Sequence, residues 1–265
     1  MKITFLGTGT SHGVPTVDCI INNFSHCPKG VCKDSFTDKK HNRTRSSILI
    51  EIDKTTILID ASADFREQVL REKVKKIDAL LITHIHTDHI MGIPDIRSYT
   101  RLLDKPLPVF GSSESVEGLK KTFSYIFDPK TFIGGGIPSL DAIKKDKSFK
   151  FNDIEITPIP VNHGSLSGCV GYRISDVAYI PDCKSIPNSS MELMRGIKTL
   201  IIDTLRMTHP HSTHMILPES SEVVKELGVE KCYLTHMCHE MHYKNDAHLL
   251  SSNTDFAYDG LVLNL

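Results

Sequence analysis

The feature that most constrains this chain is a dense run of metal-ligand residues, Thr83-His84-Ile85-His86-Thr87-Asp88-His89. It directly follows Ile77–Thr83, an apolar segment with the composition of a buried strand, so the ligands begin where a rigid element ends. His84 and His86 are two residues apart and face the same side of an extended backbone. Imidazole and carboxylate groups together suit zinc, with manganese and iron as the neighbouring choices.

Further potential ligands stand at the ends of other predicted strands. Each is weak evidence alone, because a single His or Asp after a strand is more often structural. Together with the first cluster they make seven nitrogen or oxygen ligands, enough for two metal ions that share a carboxylate. They are His163 after residues 154–161, Asp182 after residues 177–180, and His236 after residues 231–235.

Two more residues have predicted roles beside these ligands. Asp60 ends the apolar strand 54–60, and we expect it to accept a hydrogen bond that orients a ligand such as His84. Its alternative role is the cap of a turn or helix. A helix over residues 65–73 is predicted to follow, with Asp64 as its N-cap.

Composition and charge narrow the classes of function. The chain has 265 residues with a net charge of −1, which argues against a mainly electrostatic nucleic-acid binder. There is no signal-peptide pattern and no apolar run of about 18 residues, so we expect a cytoplasmic protein without membrane contact. No linker or tandem repeat is evident, so residues 1–265 are predicted to form one α/β domain with a Cys-bearing loop insertion at about 11–45.

The ligand series, with Leu58-Ile59-Asp60 before it, resembles the five motifs of the metallo-β-lactamase superfamily, in the same order. The resemblance implies a four-layer αββα sandwich with the metals at one edge of its two sheets. It implies one metal site of His84, His86 and His163 and a second of Asp88, His89 and His236. Asp182 would bridge the two sites.

A narrower resemblance is to the PhnP-type cyclic phosphodiesterases of the carbon–phosphorus lyase pathway. It is carried by Leu6–Pro15, by the Cys-bearing loop and by Thr235-His236-x-x-His239. That family carries a third, structural zinc on three Cys and one His. Here its ligands would be Cys19, Cys27, Cys32 and His239, a set suited to a closed zinc site. The spacing Cys19-x7-Cys27-x4-Cys32 is looser than the family's, and His26 is an alternative ligand.

The histidine-rich segment 208–215 supplies the predicted proton donor. His214 matches the family's active-site histidine, because a helix start follows it, and we expect it to act as general acid or to orient the phosphate. His211 is the alternative. We predict that Asp88 and Asp60 are catalytic residues together with His214.

These observations predict a binuclear hydrolase with two Zn²⁺ or Mn²⁺ ions. A hydroxide bridging the ions would attack a small, cyclic or nucleotide-like phosphodiester. A homodimer is what the family suggests. The alternatives are a tRNA 3′-processing endonuclease, with residues 132–147 as its only candidate tRNA arm, a thioester or lactone hydrolase, and a non-catalytic zinc-binding interaction module.

Overall fold

A computed structural model describes residues 1–101, 103–131 and 136–265 of the chain. Their strands form two seven-stranded sheets, ordered β14-β1-β2-β3-β4-β5-β6 and β13-β12-β11-β10-β9-β8-β7. The strands are β1 Lys2–Gly7, β2 Ser47–Ile52, β3 Thr55–Ile59, β4 Ala79–Leu81, β5 Leu107–Gly111, β6 Leu140–Lys144, β7 Phe149–Phe151, β8 Ile154–Pro160, β9 Val170–Ile174, β10 Val177–Ile180, β11 Thr199–Asp203, β12 Lys231–Thr235, β13 Thr254–Phe256 and β14 Val262–Asn264.

The two sheets pack face to face because their strands alternate apolar side chains between two buried faces. In β2, Ile48 and Ile50 belong to the cluster between the sheets, whereas Leu49 belongs to the cluster on the outer face. Tyr172 and Tyr179 of the second sheet join the inner cluster. This burial on both faces explains why the strands have nearly continuous apolar sequences.

Helices cover the outer faces and complete four layers, which confirms the predicted αββα arrangement. Phe65 and Leu119 pack on the first sheet, and Met194 and Val224 pack on the second. No helix in the described ranges is long and apolar enough to cross a bilayer. The helices are α1 Val17–Ile21, α2 Val31–Asp34, α3 Phe65–Arg71, α4 Thr87–Ile90, α5 Arg97–Thr100, α6 Ser113–Thr122, α7 Ser124–Phe127, α8 Asn188–Met194 and α9 Leu217–Leu227, with 3₁₀ turns at Lys39–His41, Ile93–Ile96 and Ala247–Leu249.

Two local expectations differ from the structure. The Asp64 side chain does not cap α3, because its carboxylate instead accepts from the backbone N–H and the guanidinium of Arg45. Within the candidate tRNA arm, β6 pairs in parallel with β5 and belongs to the first sheet, so this part does not protrude. Residues 132–135 of that arm lie outside the described residues.

Candidate metal centres

The carboxyl ends of several strands meet at one edge of the sandwich and bring the predicted ligands together. β3 and β4 run parallel in the first sheet, and β10, β11 and β12 run parallel in the second. Hydrogen bonds that join the sheets near this edge include those from Tyr172 Oη to the Ile82 carbonyl and from the Val170 N–H to the Thr83 carbonyl. Residues far apart in sequence therefore share one site because they follow strands that end together.

Three histidines form the first potential ligand group at this edge. His84 Nε2 lies 3.0 Å from His86 Nδ1, and His163 Nε2 lies 3.3 Å from the same atom. His84 and His163 are buried, whereas His86 is exposed. Three imidazole nitrogens this close could hold one divalent ion on the solvent side of the site.

The second group combines Asp88, His89, Asp182 and His236, all buried. Asp182 Oδ1 lies 3.1 Å from His89 Nε2 and 3.2 Å from His236 Nδ1. Its other oxygen, Oδ2, lies 3.8 Å from Nε2 of both His84 and His163. Asp182 therefore stands between the two groups with one oxygen toward each.

Hydrogen bonds behind the histidines direct their free nitrogens into the site. His163 Nδ1 donates to the Thr213 carbonyl over 2.8 Å, and His89 Nδ1 donates to Asp60 Oδ2 over 2.7 Å. Each bond keeps the hydrogen on Nδ1 and leaves Nε2 available as a ligand. Asp60 was expected to accept a hydrogen bond from a ligand such as His84. The predicted ligand that it bonds is His89, and Thr83 Oγ1 stands between Asp60 and His84.

The donor set fits divalent metal ions. His89 Nε2 and Asp182 Oδ1 are buried 3.1 Å apart, yet neither atom makes a hydrogen bond among the described residues, which is costly unless an ion binds them. Burial lowers the pKa of His236 to about 3 and that of His84 well below its ordinary value. Both imidazoles are therefore neutral at pH 7, the form that binds metal.

His214 lies beside these ligands and is held by Asp203, a residue that the sequence analysis missed. His214 Nδ1 is 2.8 Å from Asp203 Oδ2, and its ring stacks on that of His236 at 4.7 Å. Burial lowers the pKa of His214, but the carboxylates of Asp203, Asp182 and Asp88 together more than offset this, and the pKa is about 9. His214 therefore carries a proton at pH 7, as a general acid must.

Asp203 shares the sequence signal that identified Asp60. It ends β11, whose other four residues, Thr-Leu-Ile-Ile, are all buried, and Asp203 itself is completely buried. Its carboxylate also accepts from the backbone N–H of Cys183, next to Asp182. The same pattern, an acid at the end of a buried strand, therefore indicates an orienting carboxylate at both Asp60 and Asp203.

The Cys-bearing loop brings its predicted ligands together in a cluster of their own, apart from the two active-site groups. The Sγ atoms of Cys19, Cys27 and Cys32 and a ring nitrogen of His239 all lie within 4.8 Å of one another. His239 Nδ1 is 3.1 Å from Cys19 Sγ and 3.4 Å from Cys32 Sγ. Despite its loose spacing, this set could hold a structural metal ion, and His26 is exposed and outside it.

One further group of potential ligands, Asp34, His41 and His242, has ligand atoms equally close together. Its hydrogen bonds indicate that it does not bind a metal ion. The backbone N–H groups of Lys244 and Asn245 both point at His242 Nδ1. The ring hydrogen therefore belongs on Nε2, which faces Asp34 Oδ2 at 3.4 Å. A nitrogen that carries hydrogen has no lone pair for a metal, so this group is an ion-pair or hydrogen-bond contact.

Asp60 provides a test of the orientation of His89. We expect Asp60→Asn to weaken binding of the second active-site ion by about 10- to 100-fold, the usual effect of losing such an orienting partner. Competition with a chelator measures this affinity. Asp141→Asn, an exposed change on β6, is the control that should leave it unchanged. Equal affinity in Asp60→Asn and the unmodified protein would contradict the role.

The loop cluster makes a separate prediction about metal content and stability. We expect Cys27→Ser to remove one ion per chain. If the free ion is present at about 100 times its dissociation constant, losing the site lowers the free energy of unfolding by about 2.7 kcal/mol. The melting temperature should then fall by roughly 5–10 °C. Elemental analysis and thermal unfolding measure both effects. Cys238→Ser, outside the cluster, should keep the full metal count, and an unchanged count in Cys27→Ser would exclude the loop site.

Comparisons with known proteins agree with this geometry. Residues 55–237 match the family described as the beta-lactamase superfamily domain. A crystal structure described as a new diphosphatase from the PhnP family superposes with a TM-score of 0.87 and 34% identity, covering 100% of this chain and 97% of that one.

Two curated relatives have names that describe activities other than that of a diphosphatase. An octanoyltransferase of Porphyromonas gingivalis is 31% identical over 263 residues, which are 98% of this chain and 51% of that protein. A ribonuclease Z of Staphylococcus epidermidis is 28% identical over 208 residues, which are 74% of this chain and 55% of that protein. The chain thus spans about half the length of these relatives.

Proposed function

Because the chain belongs to the metallo-β-lactamase superfamily, we propose that it is a metal-dependent phosphodiesterase that hydrolyses a small phosphodiester. The observation that carries the proposal is the position of Asp182, with one carboxylate oxygen toward each of two ligand groups. The likeness over the whole chain to a structure described as a PhnP-family diphosphatase supports attack at a phosphoryl group.

The residues around the site fit two neighbouring divalent ions. His84, His86 and His163 would hold one ion, Asp88, His89 and His236 the other, and Asp182 would contact both. Bound divalent ions supply Lewis acidity: they lower the pKa of a nearby water and offset negative charge that builds on phosphoryl oxygens.

The chain's own residues then supply position and a proton. His214 stands beside both ligand groups, 4.8 Å from His163 and 4.7 Å from His236 between ring centroids. Because Asp203 holds Nδ1, the other ring nitrogen is free to donate a proton to the oxygen that leaves phosphorus. Asp203 stabilises the imidazolium before transfer and fixes the ring afterwards.

A tRNA endonuclease is the second candidate, favoured by the ribonuclease Z relative. Against it, the net charge of −1 gives little overall attraction for RNA, and β6 occupies part of the candidate arm. The octanoyltransferase relative brings acyl thioesters into consideration, although 49% of that protein lies outside the match. A small-molecule substrate remains our proposal.

A substrate panel tests these functions on metal-loaded protein. It contains adenosine 2′,3′-cyclic phosphate, bis-p-nitrophenyl phosphate, an octanoyl thioester and a precursor tRNA, each with Zn²⁺ or Mn²⁺. We expect turnover of the two phosphodiesters and little of the others. Faster cleavage of the precursor tRNA would support the endonuclease, and thioester turnover without phosphodiester turnover would overturn the proposal.

A further inference from the structure

A polar pocket connects the candidate proton donor with the Cys-bearing loop. It has a volume of about 280 Å³, and both His214 and His239 line it. That volume is close to the lower end of small-molecule sites, about 300 Å³, and suits a sugar-sized group. A larger cavity of about 550 Å³ beside Tyr243 and Tyr258 includes none of the metal-cluster residues, so it does not compete for this role.

One wall of this pocket, formed by Thr16 and Asp18, is hydrogen-bonded to the Cys-bearing cluster. Thr16 and Asp18 line the pocket and flank the start of α1, which carries Cys19. Thr16 Oγ1 accepts from the Cys19 N–H over 3.2 Å, and the Thr16 N–H points at Cys32 Sγ over 3.5 Å. The position of Asp18 is therefore fixed by the cluster rather than by contact with the active site.

The charges of the opposite wall are already compensated. Arg206 donates to the carbonyls of His209 and Pro210, over 2.6 and 3.0 Å, and its guanidinium lies 3.3 Å from Glu240 Oε1. Arg206 and Glu240 thus offset each other and leave few free donors for an anion. Burial lowers the pKa of His211 and of His239, so both are neutral at pH 7.

Asp18 is the acidic group of the pocket that remains uncompensated. Its side chain is exposed, and no hydrogen bond or ion pair reaches its carboxylate from the residues described here. A negative charge on the leaving part of a substrate would be repelled by it, whereas hydroxyl groups could donate to it.

We propose that this pocket binds the alcohol part that leaves the phosphodiester, and that Asp18 selects uncharged or cationic, hydroxyl-bearing alcohols over anionic ones. This inference rests on the proposed phosphodiesterase function. His214 in the lining of the pocket would then stand beside the oxygen that receives the proton, with the rest of the alcohol in contact with lining residues such as Asp18.

A matched pair of substrates tests the inference: adenosine 2′,3′-cyclic phosphate with and without a 5′-phosphate. The reacting diester is the same, and only the charge of the alcohol part differs. We expect the unmodified protein to prefer the uncharged member by about tenfold in kcat/KM, as for a carboxylate several ångströms from a phosphate at a high effective dielectric. Asp18→Asn should bring the ratio within about twofold of one, and Asp18→Lys should reverse the preference.

Controls separate charge from structural damage and from failure of the underlying function. Asp153→Asn, an exposed change between β7 and β8, should keep the original preference. Unaltered melting temperatures and metal contents would show that the Asp18 variants are folded. Turnover with equal rates for both substrates, or a preference unaffected by Asp18→Lys, would overturn the pocket assignment alone. Absence of turnover for every phosphodiester tested would overturn the proposed function and this inference with it.

Discussion

Replacing Asp182 by asparagine is expected to lower phosphodiester turnover by about a thousandfold or more and to reduce the affinity for both active-site ions. The reason is its position: one oxygen lies 3.1–3.2 Å from His89 and His236, and the other lies 3.8 Å from His84 and His163. An amide keeps the size of the side chain but removes the charge and replaces one of these oxygens with a donor nitrogen.

Metal content distinguishes this effect from unfolding. The Asp182→Asn protein should retain the ion of the Cys-bearing loop, because that cluster shares no residue with the active-site groups. Asp176→Asn is the matched control, at the hairpin on the other end of β10. It should keep full turnover and full metal content. Retention of both active-site ions and of turnover in Asp182→Asn would refute the bridging role.

Replacing His214 by alanine is expected to lower turnover by about 100- to 10,000-fold on substrates whose alcohol needs a proton to leave. Adenosine 2′,3′-cyclic phosphate is such a substrate, whereas bis-p-nitrophenyl phosphate releases an anion that is stable without one. Turnover of bis-p-nitrophenyl phosphate should therefore fall much less in His214→Ala. The metal count should remain unchanged, because neither proposed ion site uses a His214 atom: one consists of His84, His86 and His163, and the other of Asp88, His89, Asp182 and His236.

Asp203→Asn tests the same step through the residue that holds His214. Its effect should have the same dependence on the leaving group but a smaller size, since the imidazole remains. His248→Ala, an exposed change in the 3₁₀ turn Ala247–Leu249, should affect neither substrate. Equal losses on both phosphodiesters in His214→Ala would contradict proton donation and indicate instead a role in binding the phosphate.

Much of the site could be predicted because its polar residues follow apolar strands. Asp60, His84, Asp182 and His236 each stand directly after, or within three residues of, a strand with nearly continuous apolar sequence. The carboxyl ends of such strands meet, so sequence position indicates spatial proximity. The structure brings all seven predicted ligands together, while their roles as ligands remain predictions that the metal analyses will test.

The features that could not be predicted depend on contacts between residues far apart in the chain, which leave no pattern in the local sequence. Whether Asp60 bonds His84 or His89 is decided by side-chain directions at the sheet edge, and only coordinates give these. Asp64 looked like a helix cap, but the guanidinium and backbone N–H of Arg45 compete for its carboxylate. The edge strands β6, β7, β13 and β14 were not predicted, because they are short and segments such as Leu140–Lys144 have no clear alternation of apolar and polar residues.

The most direct test of the account is a titration of metal-depleted protein with Zn²⁺ or Mn²⁺, following hydrolysis of adenosine 2′,3′-cyclic phosphate. A binuclear phosphodiesterase predicts no turnover without metal. It predicts full turnover at two ions per chain beyond the one held by Cys19, Cys27, Cys32 and His239. Turnover in the absence of metal, full activity with a single active-site ion, or no hydrolysis at any metal content would contradict it.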